Sequence, residues 1–491
     1  MKLFDPVLAN SSYKSDLFYP SSTLKTHFAN GLFDVSTEDN LGWPYHTPEL
    51  NPSFSLASSP LIVDIDNDGK NEVIFSSTPD DGRIYVVDSN GEDKSGWPVQ
   101  VPYKLYNYIG LGSPAVADIN GDGNLEIFFQ GTDYAYGYDH LGQPLPHWPI
   151  DLRSPASLVT WRIPTPVIVD LNNDGIQEII IVHLSRTFHV FEPDGSYFPG
   201  WPITDFQDSR AALDQSPAVA DLDNDGFMEI VINDMQGVDY NSRVFIYNHD
   251  GTAVAGWPRV YENRSITVSP VITDLNNDGK LDIIETGLIT PFKGFFVTAF
   301  NIDGKILNED WPLVIPAAIS SFVPRGFALA DINGDGSTEV LLSASVSNGV
   351  LFPQHGTVFA IRNTGNLIWR GEVSYYPPEV SSPVVADITN DNTPEILLST
   401  GKYWLNDLSY GQIVVYDKSG EINQELVKTV DEPITTTIAL GDVTGNEKFD
   451  IVVPTTRGTV YLWETQGNIE KSYWPFLQYN PQRTGFFDIT R

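Results

Sequence analysis

Eight times along this chain an apolar run ends in a nine-residue acidic turn. The first copy reads DIDNDGKNE, from Asp64 to Glu72, and carries four carboxylates. The others are DINGDGNLE from Asp118, DLNNDGIQE from Asp170, DLDNDGFME from Asp221, DLNNDGKLD from Asp274, DINGDGSTE from Asp331, DITNDNTPE from Asp387 and DVTGNEKFD from Asp442. Successive first aspartates lie 54, 52, 51, 53, 57, 56 and 55 residues apart. A fixed period of this size marks a repeat architecture, in which each unit buries its apolar face against its neighbours.

Each period reads as four strands. From Ser59 the runs are SPLIVD, NEVIFSST, GRIYVVDSNGE and SGWPVQV, separated by Gly, Asp, Asn and Pro and without helical periodicity. The second copy gives SPAVAD, LEIFFQGT, YAYGYDHLGQ and HWPIDL in the same order. Four strands per long repeat predict an all-β chain forming a single β-propeller. Eight acidic turns predict eight four-stranded blades. Seven blades is the alternative count, and a solenoid the alternative architecture.

The tryptophans keep register with the turns. Trp97, Trp148, Trp201, Trp257, Trp311, Trp369 and Trp474 each follow a third strand by this reading, and the seventh repeat has ELVKTV instead. They are expected to pack between blades rather than to bind a ligand. Trp43, in LGWP, precedes the first repeat like an orphan fourth strand. Residues around 33–48 are therefore expected to complete the blade that carries the C-terminus, closing the ring by terminal strand exchange. The expected organisation is an N-terminal arm over 1–32, the propeller over 33–478 and a C-terminal tail over 479–491.

The turns also have a chemistry. Positions 1, 3, 5 and 9 carry oxygen-bearing side chains, and Gly at position 6 allows a sharp reversal that turns oxygens inward. In order, these residues are Asp64, Asp66, Asp68 and Glu72; Asp118, Asn120, Asp122 and Glu126; Asp170, Asn172, Asp174 and Glu178; Asp221, Asp223, Asp225 and Glu229. The later turns supply Asp274, Asn276, Asp278 and Asp282; Asp331, Asn333, Asp335 and Glu339; Asp387, Thr389, Asp391 and Glu395; Asp442, Thr444, Asn446 and Asp450. Oxygen ligands in this number suit Ca²⁺, which takes six to eight, so several calcium ions are expected, up to eight. An Asx-rich turn without metal is the plainer alternative. The loop is not an EF-hand: position 12 is apolar in seven copies, Glu285 being the exception, and the flanks are strands. The seventh turn replaces Gly with Asn392, and the eighth replaces it with Glu447 and keeps only two carboxylates among its four positions. The eighth is expected to be weakest or empty.

Composition narrows the partners. The formal charge is −36, and phosphate recognition needs clustered Lys and Arg, so nucleic acid is not expected. No cysteine is present, which excludes disulfides, thiolate metal sites and cysteine nucleophiles. No apolar run is long enough to span a bilayer, and MKLFDPVLANSSYKSD shows no secretory signal.

The pattern D-x-[DN]-x-[DN]-G-x-x-[DE], between a run ending in Ala-Asp or Val-Asp and a Glu-Ile or Glu-Val strand, resembles the FG-GAP, integrin-α-like propeller repeat. GWP after the third strand and the ending WPFLQYNPQRTG resemble the bacterial branch of that family. The resemblance covers roughly residues 33–485. It implies calcium between the first two strands of a blade and a ligand-binding or adhesive role, usually outside the cell.

The expected function is a non-enzymatic, calcium-stabilised binding or adhesion platform, extracellular or surface-associated, with a protein or carbohydrate ligand. The loops from fourth to next first strand are long and aromatic, such as PYKLYNYIGLG and RSPASLVTWRIP. Aromatic and Arg side chains are common in recognition surfaces, so Tyr106, Trp161, Arg162, Arg210, Arg264 and Arg325 are the candidate ligand-binding residues. Two alternatives stand beside this. One is an eight-bladed enzyme: GTVFAIRNTGNLIW and GTVYLWETQGN resemble the docking repeats of quinoproteins, and a polysaccharide lyase is a further form. The other is a structural subunit of an extracellular or virion-like assembly that docks through the arm over 1–32. No compact catalytic set or phosphate loop is visible.

Overall fold

The computed structural model of the chain describes residues 43–47, 58–77, 82–101, 111–153, 163–183, 187–204, 211–212, 215–236, 241–289, 294–316, 321–347, 353–373, 379–401 and 410–487. Two compact units divide the chain, Met1–Asn40 and Leu41–Arg491, and every described residue lies in the second. The boundary expected at 32/33 falls outside the described residues.

The second unit is an eight-bladed β-propeller. Blade one is the antiparallel meander Leu61–Val63, Glu72–Ser76, Arg83–Val87 and Val99–Gln100. Blade two repeats it with Ala115–Ala117, Glu126–Gln130, Tyr134–Tyr138 and Ile150–Asp151. Blade three has Val167–Val169, Glu178–His183 and Thr187–Phe191, with its fourth strand reduced to a bridge between Phe188 and Ile203. Blades four to seven start from Ala218–Ala220, Val271–Thr273, Ser321–Ala330 and Val384–Ala386. Short strands Ala211–Ala212, Arg264–Ile266 and Glu379–Val380 add to the second strands of blades four, five and seven.

Blade eight closes the ring. Ala439–Gly441, Lys448–Pro454 and Thr459–Asn468 come from the C-terminal region, and Tyr45–His46 supplies the outer strand by pairing with Val460 and Thr459. The expectation from LGWP is met. The middle strands read as apolar runs because neighbouring blades cover both their faces; Glu178–His183 is buried at every residue.

The tryptophans stitch adjacent blades. Each indole N–H donates to a carbonyl in the next blade's turn between third and fourth strands: Trp97 to His140 at 3.0 Å, Trp201 to His249 at 2.9 Å and Trp257 to Ile302 at 2.7 Å. Trp43 does the same across the closure, to Ser89 at 3.4 Å. The glycine before Trp97 is required by this approach: Gly96 has φ +94°, and an added Cβ would lie 2.1 Å from the Leu141 carbonyl oxygen. At the blade seven–eight seam Leu426, Tyr461 and Trp463 each pack against the apolar cluster shared by the two blades instead.

Trp474 departs from the expected register. It is not an outer-edge residue: Ser472–Trp474 pairs with Val384–Ala386, the innermost strand of blade seven. First strands of neighbouring blades touch one another around the axis, and the chain after Trp474 runs along their free edges. The carbonyls of Pro475, Pro481, Gln482, Thr484 and Gly485 accept from the N–H of Leu440, Val116, Ile168, Val219 and Ile272, at 2.9–3.2 Å. These donors are the central residues of the inner strands of blades eight, two, three, four and five. Arg483 is fully buried and gives its guanidinium to the carbonyls of Pro114 at 3.0 Å, Pro60 at 3.3 Å and Leu477. The stretch expected as a tail from 479 thus satisfies inner-edge backbone groups as far as Phe487.

Candidate metal centres in the acidic turns

All eight acidic turns join the first and second strands of a blade and share one hydrogen-bonded frame. The position-1 aspartate accepts from the backbone N–H of positions 5 and 6. Asp64 does so from Asp68 at 3.1 Å and Gly69 at 2.8 Å, and Asp221 from Asp225 at 3.1 Å and Gly226 at 3.0 Å. The position-5 side chain accepts from the N–H of position 7, as Asp225 does from Phe227 at 2.8 Å. The position-9 carboxylate reaches back to the N–H of the buried position-2 residue, as Glu229 does to Leu222 at 2.8 Å. Even the degenerate eighth turn keeps this frame, with Asp442 accepting from Asn446 at 3.0 Å and Glu447 at 2.7 Å.

Two positions in the frame take left-handed backbone. Position 6 was legible as Gly. Position 4 was missed, although it is Asn or Gly in every copy, from Asn67 at φ 55° to Gly445 at φ 75°. Asn tolerates this region better than other non-glycine residues, so its recurrence was the available signal. At position 6 the departures Asn392 and Glu447 adopt φ 69° and 63°, so the last two turns keep the shape without glycine.

The carboxylates are held in position to meet a cation. Asp64, Asp66 and Glu72 bring oxygens within 4.8 Å of one another, as do Asp221, Asp223 and Asp225, and Asp387, Asp391 and Glu395. Every position-9 carboxyl is at most 5% exposed. Burial pushes Glu178 up to about 8, Glu126, Glu229, Asp282, Glu339 and Glu395 up to about 7, and Asp450 up to about 6, against backbone N–H groups that favour the charged form. Such a carboxyl needs a proton, a donor or a metal ion on its second oxygen. Asn120, Asn333 and Thr389, all at position 3, donate to that oxygen in their own turns at 2.8–2.9 Å. In the third turn Asn172 bonds Asp174 instead, and Glu178 Oε1 is buried with no hydrogen-bond partner. Asp450 Oδ1 in the eighth turn is likewise buried without a partner. An all-oxygen donor set with orphaned buried oxygens fits a hard divalent cation.

Two turns contain an ammonium group that sequence reading did not anticipate. Lys94 Nζ lies 2.6 Å from Glu72 Oε1, 2.9 Å from Asp66 Oδ2 and 3.7 Å from Asp68 Oδ2. Lys471 Nζ lies 3.2 Å from Asp387 Oδ2 and within 3.0 Å of the side-chain oxygens of Asn390 and Asn392. Lys94 is 22 residues from Glu72 and Lys471 is 84 from Asp387, so neither is part of the local motif.

Of the candidate ligand-binding residues, Tyr106, Trp161, Arg162 and Arg210 lie outside the described residues. Arg264 sits over the Phe296 ring at 4.4 Å, with burial pulling its guanidinium below its ordinary value. Arg325 donates through Nε to Ser345 Oγ at 2.9 Å. Both are engaged within their own blades.

Comparison with known proteins agrees with this geometry. Residues 64–129 and 170–232 match the FG-GAP-like repeat family. No curated protein matches the sequence. Among solved structures, the biofilm matrix protein Bap1 of V. cholerae superposes with a TM-score of 0.55 at 13% identity, over 91% of this chain and 96% of that one. The quinohemoprotein alcohol dehydrogenase of Comamonas testosteroni gives 0.53 at 11% identity, over 86% of this chain and 76% of that one. At such identities the likeness is one of fold. With eight turns in one frame and a closed ring of eight blades, the chain is an eight-bladed β-propeller that carries FG-GAP-like repeats at residues 64–129 and 170–232.

Proposed function

We propose that this protein is a calcium-stabilised β-propeller that serves as a non-enzymatic binding or adhesion platform at a cell or particle surface. The observation that carries the calcium part is the convergence of Asp221, Asp223 and Asp225 within 4.8 Å in a turn whose backbone already fixes them. Calcium there would be held by carboxylates of the fourth turn, with equivalent oxygens in the third, fifth and sixth. Its role is structural: it cancels repulsion among acidic groups and ties the first strand of a blade to the second.

One observation favours a platform over an enzyme: segment 475–487 lies on the inner edges of the blades, where a quinone-type funnel would open. The fold is shared with a biofilm matrix protein and, to the same degree, with an alcohol dehydrogenase. The ligand is a protein or a carbohydrate, recognised by the aromatic and arginine-bearing segments that link the fourth strand of one blade to the first of the next. Further assembly would use the N-terminal arm.

The test is binding of the purified full chain to immobilised acidic and neutral polysaccharides and to whole cells, in calcium and in chelator. Binding with no chemical change in the glycan supports the platform; cleavage or oxidation of a glycan refutes it. Arg162→Ala and Arg264→Ala locate the surface. Lost binding with unchanged melting assigns them to recognition, and lowered melting with binding intact assigns them to blade packing.

A further inference from the structure

A full set of four carboxylates does not by itself leave a turn open to metal. Turn one has Asp64, Asp66, Asp68 and Glu72, the same count as turn four. Turn one differs in having Lys94 among those oxygens, with Nζ contacting three of the four carboxylates. Glu72 is fully buried, and the Lys94 side chain is only 15% exposed. This is an enclosed pair, not a loose surface contact.

The origin of Lys94 shows that it is an exception within the ring. Its backbone N–H donates to Val86 in the turn after the third strand. In blades two to five the same backbone bond is made by Leu145, Phe198, Val254 and Leu307, to Gly137, Val190, Ile246 and Ala299. Those four positions carry apolar side chains that pack onto their blades. Blade one alone of these five places a cationic side chain there, and it extends to the acidic turn. Its ammonium offers three donors to oxygens that would otherwise coordinate a metal. A Ca²⁺ ion bound by Asp66 and Glu72 would lie against Nζ, so the two cations exclude each other.

We infer that Lys94 is a tethered cation that occupies the metal position of turn one, so that this turn is held without calcium while turn four takes it. The inference rests on the calcium reading above. It assigns to blade one a stability that chelators do not reach. Blade one also meets the closing blade, since Trp43 and Asn71 bridge them: Asn71 Nδ2 donates to the Asp442 carbonyl at 2.6 Å. The seam where the two chain ends meet is thereby independent of metal supply.

The test counts bound calcium on the full chain by equilibrium dialysis, in wild type and four variants. Asp66→Ala, which removes a side-chain oxygen, is expected to leave the wild-type number unchanged, and Asp223→Ala to lower it by one. Lys94→Met, which restores an apolar side chain of the kind found in blades two to five, is expected to raise the number by one. Adding Asp66→Ala to Lys94→Met should remove that extra ion. A loss of one ion in Asp66→Ala alone, which requires no change at Lys94, would overturn the inference. So would an unchanged count in a folded Lys94→Met protein. If the wild type binds no calcium and Asp223→Ala changes nothing, the calcium reading itself has failed and the inference goes with it.

Discussion

Arg483 at the axis and Asp221 in the turn between the first two strands of blade four are both charged groups cradled by backbone, yet their surroundings are complementary. Arg483 is a cation surrounded by carbonyls from blades one and two and from its own segment, and it is fully buried. Burial draws it down to about 9, still protonated at neutral pH. Its partners are complete. Asp221 is an anion fed by N–H groups of its own turn, with Asp223 and Asp225 beside it, and it is only half-buried. Its surroundings add negative charge rather than remove it. The axis is closed by the chain's own groups, whereas the acidic turns keep an excess of negative charge.

The sharpest way to break this comparison is to empty the axis. Arg483→Met leaves the carbonyls of Pro60, Pro114 and Leu477 without their donor, at a cost of about 3 to 5 kcal/mol. Denaturant unfolding should show this in calcium and in chelator alike. A loss seen only in calcium would mean that the two regions are coupled.

A buried carboxyl without an added cation sharpens it next. Glu285 is fully buried between blades four and five, and Asn233 donates to both its oxygens at 3.0 and 3.3 Å. Burial holds this carboxyl well above the usual range, so the folded state keeps a proton that the unfolded chain releases near pH 4.5. The folded state then binds more protons, and stability falls as pH rises from 4.5 toward the raised value. The slope approaches about 1.4 kcal/mol per pH unit while the folded carboxyl stays protonated. Glu285→Gln should remove that loss; melting curves from pH 5 to 8 that match the wild type would contradict it.

In the acidic turns the expected effects are smaller and depend on metal. With calcium one hundred-fold above its dissociation constant, Asp221→Ala should cost about 2.7 kcal/mol, and nothing comparable in chelator. Asp442→Ala should cost less than about 1 kcal/mol in either condition, because the eighth turn presents only two of the four carboxylates. Equal losses for the two would erase the distinction between full and degenerate turns.

The blade count, the strand order, the closure by Tyr45–His46 and the tryptophan seams were all legible, because each is written in one period and repeated. The turn frame was legible for the same reason, apart from the left-handed position 4. The axis was not. Residues 475–487 occur once and bond the first strands of five blades, so no periodicity reports them, and Trp474 looked like one more seam tryptophan. Lys94 was hidden differently: it lies outside the motif it enters, and only the meander that folds the third strand's turn back over the first brings Nζ to Glu72.

The central proposal is that the acidic turns hold calcium. It is tested most directly by melting the full chain after chelation, then with Ca²⁺ or Mg²⁺ restored. Several sites that bind only the folded turn should raise the melting temperature by about 10 °C in calcium. Magnesium should restore little of it, because it resists the large, irregular oxygen shells that calcium accepts. Identical melting in chelator, magnesium and calcium would contradict the account.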